Sequence, residues 1–372
     1  MHFMRRVLVL SLLSLLVAVA IISCSSKSSV SQIDGVVTID VPAYENDSTQ
    51  MPSISQLFDT VNIVLETGGI ETLIGGTISD IKICCDTLII FSDNVFQLFD
   101  MNGRFIRKID RLGRGPGEYT NILRHFEVDE EQHHIIVFDR GSGFKRYTLS
   151  GKFVNIVRYE YDALDFALMP DGGYVLFSPF AKTPHGGLWT IDARGNFKRN
   201  LISYDDYEIS VIVGSHWLTH VNDTIIGFPG LEDIIYHVTN DTVYPVYQIN
   251  SEIIDPNEVL EEGKILSFYK DNYLESDRLV SFNLQRITAP HRFVKTVFDK
   301  KNGQATYLFT ASTFNHPRIP ADNRFPNFLL NQKEYFFNEL STYSITNNDE
   351  LKAKYPGITE ESNPIIQIFR SK

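Results

Sequence analysis

One turn pattern recurs along the chain and restricts the fold more than any other feature. Residues 99–105 read FDMNGRF, and they are matched by YTLSGKF at 147–153, IDARGNF at 191–197 and, more loosely, FDKKNG at 298–303. The first three glycines are 48 and 44 residues apart. An X-Gly pair between strand residues indicates a tight hairpin, because glycine tolerates positive φ. Self-similarity at a period of roughly 40–50 residues, with four short strands per unit, predicts the blades of a β-propeller.

Short β-branched or aromatic runs bounded by turn residues continue from Val61 to the C-terminus. The predicted fold is all-β, a six-bladed β-propeller closed by strands from both termini, because such closure removes an open sheet edge. A tandem of β-sandwiches is the alternative. Two short helices are predicted, at Pro256–Phe268 and Asn348–Tyr355. The predicted blades cover 78–110, 123–160, 163–203, 215–250 and 269–311, and the sixth combines 325–345, Ile365–Phe369 and Val61–Leu65.

The N-terminus has the features of a lipoprotein signal peptide. Arg5 and Arg6 precede an apolar run that is shorter than the about 20 residues of a transmembrane helix. The run ends in Ile21-Ile22-Ser23-Cys24, which resembles a bacterial lipobox. We therefore predict cleavage after Ser23 and lipidation of Cys24. The predicted domains are the signal peptide at 1–23, a lipidated tether at 24–55 and the propeller at 56–372.

The charge of the processed chain excludes one class of partner. Removing residues 1–23 takes away two arginines and no acid, so the net charge changes from −12 to −14. Nucleic-acid binding requires a basic surface, and anionic lipid headgroups repel an acidic one. We therefore predict no nucleic-acid partner and a membrane contact made through the lipid anchor.

Further segments carry a family resemblance. They read VLET at 64–67, LIG at 73–75, GRGPGEY at 113–119 and NPII at 363–366. Together they resemble the six-bladed β-propeller lipoproteins of Bacteroidota, which are distantly similar to NHL-repeat propellers. The resemblance covers nearly the whole processed chain and implies an outer-membrane lipoprotein without a catalytic set. No acid follows Cys24 in residues 25–29, which favours a periplasm-facing position over the cell surface.

The glycine-rich segment is the most distinctive loop of the chain. A phosphate-binding loop would end in Gly-Lys-Ser/Thr and open a helix, whereas this one does neither. Arg111, Arg114, Glu118 and Tyr119 offer donors, an acceptor and a stacking face to a sugar or an acid, so they are the predicted ligand-binding residues. In the alternative interpretation, Arg114 and Glu118 pair with each other and the loop holds neighbouring blades in register.

Other reactive side chains match no catalytic or metal motif, so no catalytic residue, metal or cofactor is predicted. His125, His133 and His134 lie near the acidic run 129–131 without a known ligand spacing. Ser142 lacks the context of a nucleophile elbow. Trp189 and Trp217 are predicted to pack between blades rather than to stack on sugars. The remaining candidates are the carboxylate pairs Asp205-Asp206 and Glu261-Glu262 and the adjacent Cys84 and Cys85.

Cys84 and Cys85 are predicted to lie on a strand, where their side chains would point to opposite faces. We interpret them as two small buried hydrophobic side chains rather than as a disulfide between neighbours.

The predicted function is that of a non-catalytic envelope module that binds a ligand or a protein, in glycan or nutrient acquisition. A carbohydrate-active hydrolase or lyase with its site at the channel mouth is the first alternative, and a structural partner in an outer-membrane complex is the second. Convergent carboxylates or histidines at the central channel would favour the enzyme.

Overall fold

The strands and helices follow the turn pattern of the sequence. A computed structural model describes residues 32–33, 35–42, 53–178, 185–204, 217–228, 233–251, 268–286, 292–310, 330–332 and 335–372. The first elements are β1 (Gln32–Ile33), β2 (Val36–Val41), α1 (Ile54–Leu57) and β3 (Phe58–Val64). Next come β4 (Ile78–Cys84), β5 (Thr87–Ser92), β6 (Val95–Asp100), β7 (Phe105–Asp110), β8 (Ile122–Asp129), β9 (His134–Asp139), β10 (Gly143–Thr148) and β11 (Phe153–Arg158).

The third and fourth repeats contain β12 (Asp165–Leu168), β13 (Tyr174–Ser178), β14 (Gly187–Ile191), β15 (Phe197–Ser203), β16 (Leu218–Val221), β17 (Thr224–Gly227), β18 (Ile234–Val238) and β19 (Val243–Ser251). The last part contains β20 (Phe268–Glu275), β21 (Leu279–Arg286), β22 (Arg292–Asp299), β23 (Gln304–Thr310), β24 (Leu330–Gln332), β25 (Tyr335–Leu340), α2 (Thr342–Thr346), α3 (Asp349–Lys354) and β26 (Ile365–Ser371).

Six separate sheets confirm the predicted six-bladed propeller. Blades one, two, three and five are antiparallel four-stranded sheets in chain order, β4–β7, β8–β11, β12–β15 and β20–β23. Blade six has the order β24-β25-β26-β3, so a strand near the N-terminus completes a sheet begun by C-terminal strands. This confirms ring closure by both termini. The helix predicted at 348–355 is confirmed as α3, whose first turn is capped by the Asn348 side chain accepting from the Leu351 amide. Of the helix predicted at 256–268, residues 256–267 lie outside the described residues, and Phe268 is the first residue of β20.

Blade four is larger than predicted. β2 pairs in parallel with β19, and β1 pairs with β2, which gives a six-stranded sheet. Ile39 and Val41 are buried among apolar side chains of blades four and five, including Phe282 and Val294. The alternating apolar residues of VVTIDV fill the junction between these blades. The propeller therefore begins before the predicted boundary at residue 56, and part of the predicted tether belongs to a sheet.

The recurring hairpin glycines explain the sequence repeat. Gly103, Gly151 and Gly195 have φ of 82°, 81° and 87°, a conformation that favours glycine. Each lies against the outer strand of the preceding blade: Gly103 against β3, Gly151 against β7 and Gly195 against β11. The turn is reinforced in the first copy by Asp100, whose carboxylate accepts from the amides of Asn102 and Arg104. The pattern thus specifies both a local turn and the contact between consecutive blades.

Substitution of Gly103 by alanine tests that double role. A Cβ there would overlap the carbonyl oxygen of Val64, whereas a Cβ at Gly303, in the looser copy of the turn, would meet nothing within 4 Å. Both residues have positive φ, so both variants carry the backbone strain of about 1–2 kcal/mol. We expect Gly103→Ala to lower the free energy of unfolding by about 3 kcal/mol or more, since the backbone clash adds to that strain, and Gly303→Ala by only about 1 kcal/mol. Denaturant titration of both variants measures the difference, and equal losses would contradict the inter-blade contact.

Among the described residues, no helix has the length and apolar character needed to cross a membrane.

Candidate functional site

The first strand of each blade lies nearest the propeller axis. Around the axis, β4 contacts β8, β8 contacts β12, β12 contacts β16, β16 contacts β24 and β24 contacts β4, while β20 of blade five contacts β24. Side chains alternate along a strand, so every second residue of a first strand faces the same way. Several of these positions in β4, β8, β12 and β16 carry an ionisable side chain.

Six ionisable side chains from four blades form what we call the axial cluster: Asp80, Lys82, His125, Glu127, Asp165 and His220. The His125 imidazole lies at its centre, with Nδ1 2.9 Å from an Asp80 carboxylate oxygen and Nε2 3.3 Å from Glu127 Oε1. His220 Nε2 lies 3.6 Å from the same Glu127 oxygen. Apart from His220, which is partly exposed, the cluster is buried.

Two aspartates of the cluster bind backbone amides of the following blade. Asp80 accepts from the amide of its neighbour Ile81 and from the amide of Phe126 in blade two, at 2.8 and 3.2 Å. Asp165 accepts in the same way from Phe166 and from Leu218 in blade four, at 2.9 and 2.8 Å. Buried carboxylates require such partners. These two residues therefore join blade one to blade two, and blade three to blade four.

Lys82 and Glu127 hold opposite charges at the centre of the ring. Burial alone would lower the pKa of Lys82, but the carboxylates of Asp80, Glu127 and Asp165 outweigh it and the pKa lies above its ordinary value. Burial alone would raise the pKa of Glu127, but Lys82 and the two histidines lower it to about 2. Both side chains are therefore ionised near neutral pH.

Burial is outweighed by neighbouring charges in the pKa of His125 but dominates the pKa of Asp165. Burial and Lys82 would lower the pKa of His125, yet Asp80 and Glu127 raise it to about 10. Burial raises the pKa of Asp165 to about 6, because His125 and two backbone amides offset only part of the desolvation. The imidazole therefore acts as a cation that balances the surrounding carboxylates.

A cleft of about 690 Å³ opens over this cluster at the carboxyl ends of the first strands; we call it the mouth cleft. Lys82, Glu127 and His220 form part of its floor. Its polar lining comes from Asp129, Glu130, Glu131, Gln132, Arg146, Asn155, Asp171, Asn222, Asp223 and Gln332, and its apolar lining from Val128, Val157, Leu168, Met169, Pro170 and Ala193, with Gly172. Arg146 is bound to Asp129 at 2.9 Å.

A second cleft of about 530 Å³ shares Glu130, Asn222, Asp223 and Gln332 with the first. We call it the cysteine cleft, because Cys84 and Cys85 line it together with Ile83, Asp86 and Tyr335. The two clefts thus form one continuous concave surface at this end of the channel.

The predicted ligand-binding loop lies at the opposite end of β8 from the mouth cleft, and most of its named residues make contacts within the fold. Tyr119 is buried, its hydroxyl donates to the Asn94 carbonyl at 2.7 Å and its ring packs edge-to-face on Tyr147. The stacking face expected of Tyr119 is therefore covered by protein, because the ring fills the junction between blades one and two.

The charged residues of the loop have different surroundings. The Arg111 guanidinium donates to the Gly151 carbonyl at 3.0 and 2.8 Å. Glu118 accepts from the Gly115 amide at 2.6 Å, which differs from the expected pairing with Arg114 because the loop folds back on itself. Arg114 is exposed. A ligand contact at Arg111, Arg114 or Glu118 stays a prediction.

The other sequence candidates divide between core and surface. Trp189 and Trp217 are buried in aromatic and apolar clusters between blades, as predicted. His133 is exposed in the β8–β9 turn, away from the buried His125. In the part of the chain that the structure describes, no three His, Cys, Asp or Glu side chains are arranged to hold a metal ion. Cys24, Asp205-Asp206 and Glu261-Glu262 lie outside the described residues.

Comparison with known proteins supports this architecture. A family model described as Domain of unknown function (DUF4934) matches residues 36–370. The chain belongs to this family. No protein with a curated description matches its sequence. The match begins at the first residue of β2, which agrees with the place of that strand in blade four.

Among solved structures, a protein of Bacteroides fragilis NCTC 9343 whose name describes it as exported has a TM-score of 0.73 and 18% identity, over 90% of this chain and 99% of that one. This DUF4934 chain therefore shares its fold. The WD40 domain of Neurospora crassa Pan2 has a TM-score of 0.36 and 15% identity, over 62% of this chain and 65% of that one. PorZ of Porphyromonas gingivalis has a TM-score of 0.35 and 10% identity, over 71% of this chain and 36% of that one. The last two scores say nothing about function.

Sequence reasoning missed the axial cluster, although a signal for it exists. Asp80 and Lys82, like His125 and Glu127, are ionisable residues two positions apart, on one face of strands that are rich in apolar residues. Two charges on one face of a first strand indicate a polar axis in a propeller. Grouping His125 with His133 and His134 by proximity in the sequence concealed this pattern.

Proposed function

We propose that this DUF4934 protein is an exported, membrane-anchored binding protein that holds a polar ligand in the mouth cleft without transforming it. The observation that carries the proposal is the cleft itself, to which five blades contribute side chains that include an ionic floor. Binding sites are typically concave and few in number, and they place a small number of polar groups at fixed positions.

The state of the floor residues favours binding over hydrolysis. Carboxylates and histidines do converge at the channel, as an enzyme would require, but a glycosidase needs a protonated carboxylic acid beside the substrate. Glu127 lines the cleft, and its pKa of about 2 makes it an acceptor only. Asp165 has the raised pKa, but it is 1% exposed and is bound to two amides below the cleft.

The chemistry of the rim indicates the class of ligand. Carboxylates outnumber cations there, and the side-chain amides of Gln132, Asn155, Asn222 and Gln332 add donors and acceptors. Such a surface suits a hydroxyl-rich or amine-bearing molecule and repels a polyanion. We propose a neutral or amino-sugar oligosaccharide, in keeping with a role in glycan acquisition.

A binding screen tests this site against the glycine-rich loop. The soluble chain from Ser25 is titrated with neutral oligosaccharides, glucosamine oligosaccharides, lysine-containing peptides and an acidic oligosaccharide. For a bound oligosaccharide, we expect Glu131→Arg and Asp223→Arg in the cleft to weaken binding about tenfold or more, and Arg114→Glu at the loop to change it less than twofold.

If Arg114→Glu weakened binding and the two cleft variants did not, the ligand site would be the glycine-rich loop and not the mouth cleft. Binding of peptides alone would replace the glycan proposal by a protein partner. Appearance of shortened oligosaccharides in the same samples would overturn the non-catalytic role.

We further propose that the chain is an outer-membrane lipoprotein that faces the periplasm. The lipobox-like segment ending at Cys24 supports this, as does the acid-free run that follows it. We expect Cys24→Ala to leave the precursor unprocessed or to release the protein from the membrane fraction, since the acyl chains supply the anchor. Fractionation with palmitate labelling checks this, and unchanged labelling of the variant would refute lipidation at Cys24.

A further inference from the structure

The β4–β5 turn brings two thiols together. Cys84 pairs with Thr87 across the hairpin, so Cys85 and Asp86 form a two-residue turn with φ of 51° and 56°. Turns of this kind are usually Asn-Gly or similar, and a cysteine with positive φ is uncommon. Because the strand ends at Cys84, the two side chains do not point to opposite faces, and their sulfur atoms lie 3.6 Å apart. The expectation of two separate buried side chains is therefore wrong.

The two thiols differ in access. Cys84 is buried and Cys85 is exposed, and both line the cysteine cleft. Burial, together with the neighbouring Cys85 thiol, raises the pKa of Cys84 to about 12. A reagent that enters the cleft therefore reaches the exposed Cys85 more readily than the buried Cys84.

We propose that Cys84 and Cys85 form a thiol–disulfide exchange site whose substrate is a disulfide. The Cys85 thiolate attacks one sulfur of the substrate, so a mixed disulfide forms and one substrate thiolate leaves. Cys84 then gives its proton to the first substrate thiolate and attacks the Cys85 sulfur, which closes the Cys84–Cys85 disulfide and releases the second substrate thiolate. The cysteines give up two electrons and two protons, and the substrate disulfide becomes two thiols.

Geometry makes the product reactive rather than structural. The peptide bond holds consecutive Cα atoms about 3.8 Å apart, whereas disulfides usually span about 4.4–6.8 Å, so the closed ring is strained. The turn must also move to bring the two sulfur atoms from 3.6 Å to bonding distance. Strained disulfides are reduced more readily than relaxed ones. Gln332 binds both the amide and the carbonyl of Ile83, at 2.5 and 2.8 Å, which anchors the strand just before the turn. The movement therefore falls on the turn at the edge of the cleft.

The processed chain offers a clean test, because beyond Cys24 it contains only these two cysteines. The soluble chain from Ser25 is incubated with glutathione disulfide and examined by intact mass spectrometry. We expect the parent protein to lose two hydrogens and to retain no glutathione, and dithiothreitol to reverse the change. Cys84→Ser should retain one glutathionyl group on Cys85. Cys85→Ser should react about tenfold or more slowly, since its remaining thiol is buried.

Several outcomes would overturn the proposal. Glutathione that stays on the parent protein would show that the second step does not occur. A disulfide-linked dimer would show that the thiols react between molecules. Equal reactivity of the two single variants would remove the assigned order of attack. If serine at the buried position lowers the melting temperature, Cys84→Ala replaces Cys84→Ser in the experiment.

Discussion

Removal of residues 365–372, which contain the whole of β26, leaves a chain that does not fold cooperatively. β26 is an interior strand of blade six, where it pairs with six residues of β25 on one side and seven of β3 on the other. Its loss separates the two termini that close the ring. It also removes four buried apolar side chains, Ile365, Ile366, Ile368 and Phe369. At about 1.5–3 kcal/mol each, these account for about 6–12 kcal/mol, which is comparable with the whole stability of a domain.

A deletion of equal length at the other terminus is the matched control. Residues 25–32 contain Gln32 of β1, which pairs only with β2 at the outer edge of blade four. We expect this shorter chain to unfold cooperatively with a melting temperature close to that of the parent. Circular dichroism and calorimetry of both deletions give the comparison. A cooperative transition of undiminished midpoint in the chain without residues 365–372 would show that the ring does not depend on closure by both ends.

Much of the fold could be predicted because the determining signals are local. The Asp-x-x-Gly turn specifies a hairpin through its own hydrogen bonds, and its spacing then counts the blades. Strands left without partners near the two ends predict ring closure. The pairing of β2 with β19 was missed because it is a parallel contact between residues more than 200 positions apart. The alternation in 36–41 marks a strand but does not identify its partner.

The candidate site was less accessible to sequence reasoning because it depends on assembly. The axial cluster joins side chains from β4, β8, β12 and β16, which meet only when the ring is formed. The glycine-rich loop attracted attention through its composition, yet the burial of Tyr119 and the Arg111–Gly151 bond show that much of that composition serves packing. The unusual composition of the glycine-rich loop therefore identifies a junction between blades. The channel is identified instead by ionisable residues within the first strands.

Raising the pH from 7 to 9 should lower the free energy of unfolding by about 3 kcal/mol through His125 alone. The folded-state pKa of His125 is about 10, above the ordinary value of 6.5. The stabilisation by the protonated imidazole is therefore complete below pH 6.5 and is lost as the pH rises through 10. Between these limits the folded protein holds one proton more than the unfolded chain, and each pH unit lowers the stability by about 1.4 kcal/mol.

The pH range of 7 to 9 separates the effect of His125 from those of Asp165, Cys84 and Glu127. Asp165 also has a raised pKa, but its contribution is lost around pH 6. Cys84, with a pKa raised from 9 to about 12, lowers the stability mainly above pH 9. The stabilising effect of ionised Glu127 is complete above pH 4.5 and does not change in this range. Of these four groups, His125 therefore contributes most of the slope of stability against pH between 7 and 9.

His125→Gln removes the titrating group while keeping a side chain that can hydrogen-bond to Asp80. We expect this variant to be less stable than the parent at pH 7, and its stability to depend much less on pH, so that the two proteins converge toward pH 9. His134→Gln, a change on the neighbouring strand β9 outside the axial cluster, should keep the parent slope. Urea titrations at pH 7, 8 and 9 measure the three slopes. If His125→Gln keeps the full slope, the imidazole is not the buried cation that balances Asp80 and Glu127, and the charge balance of the channel must come from Lys82.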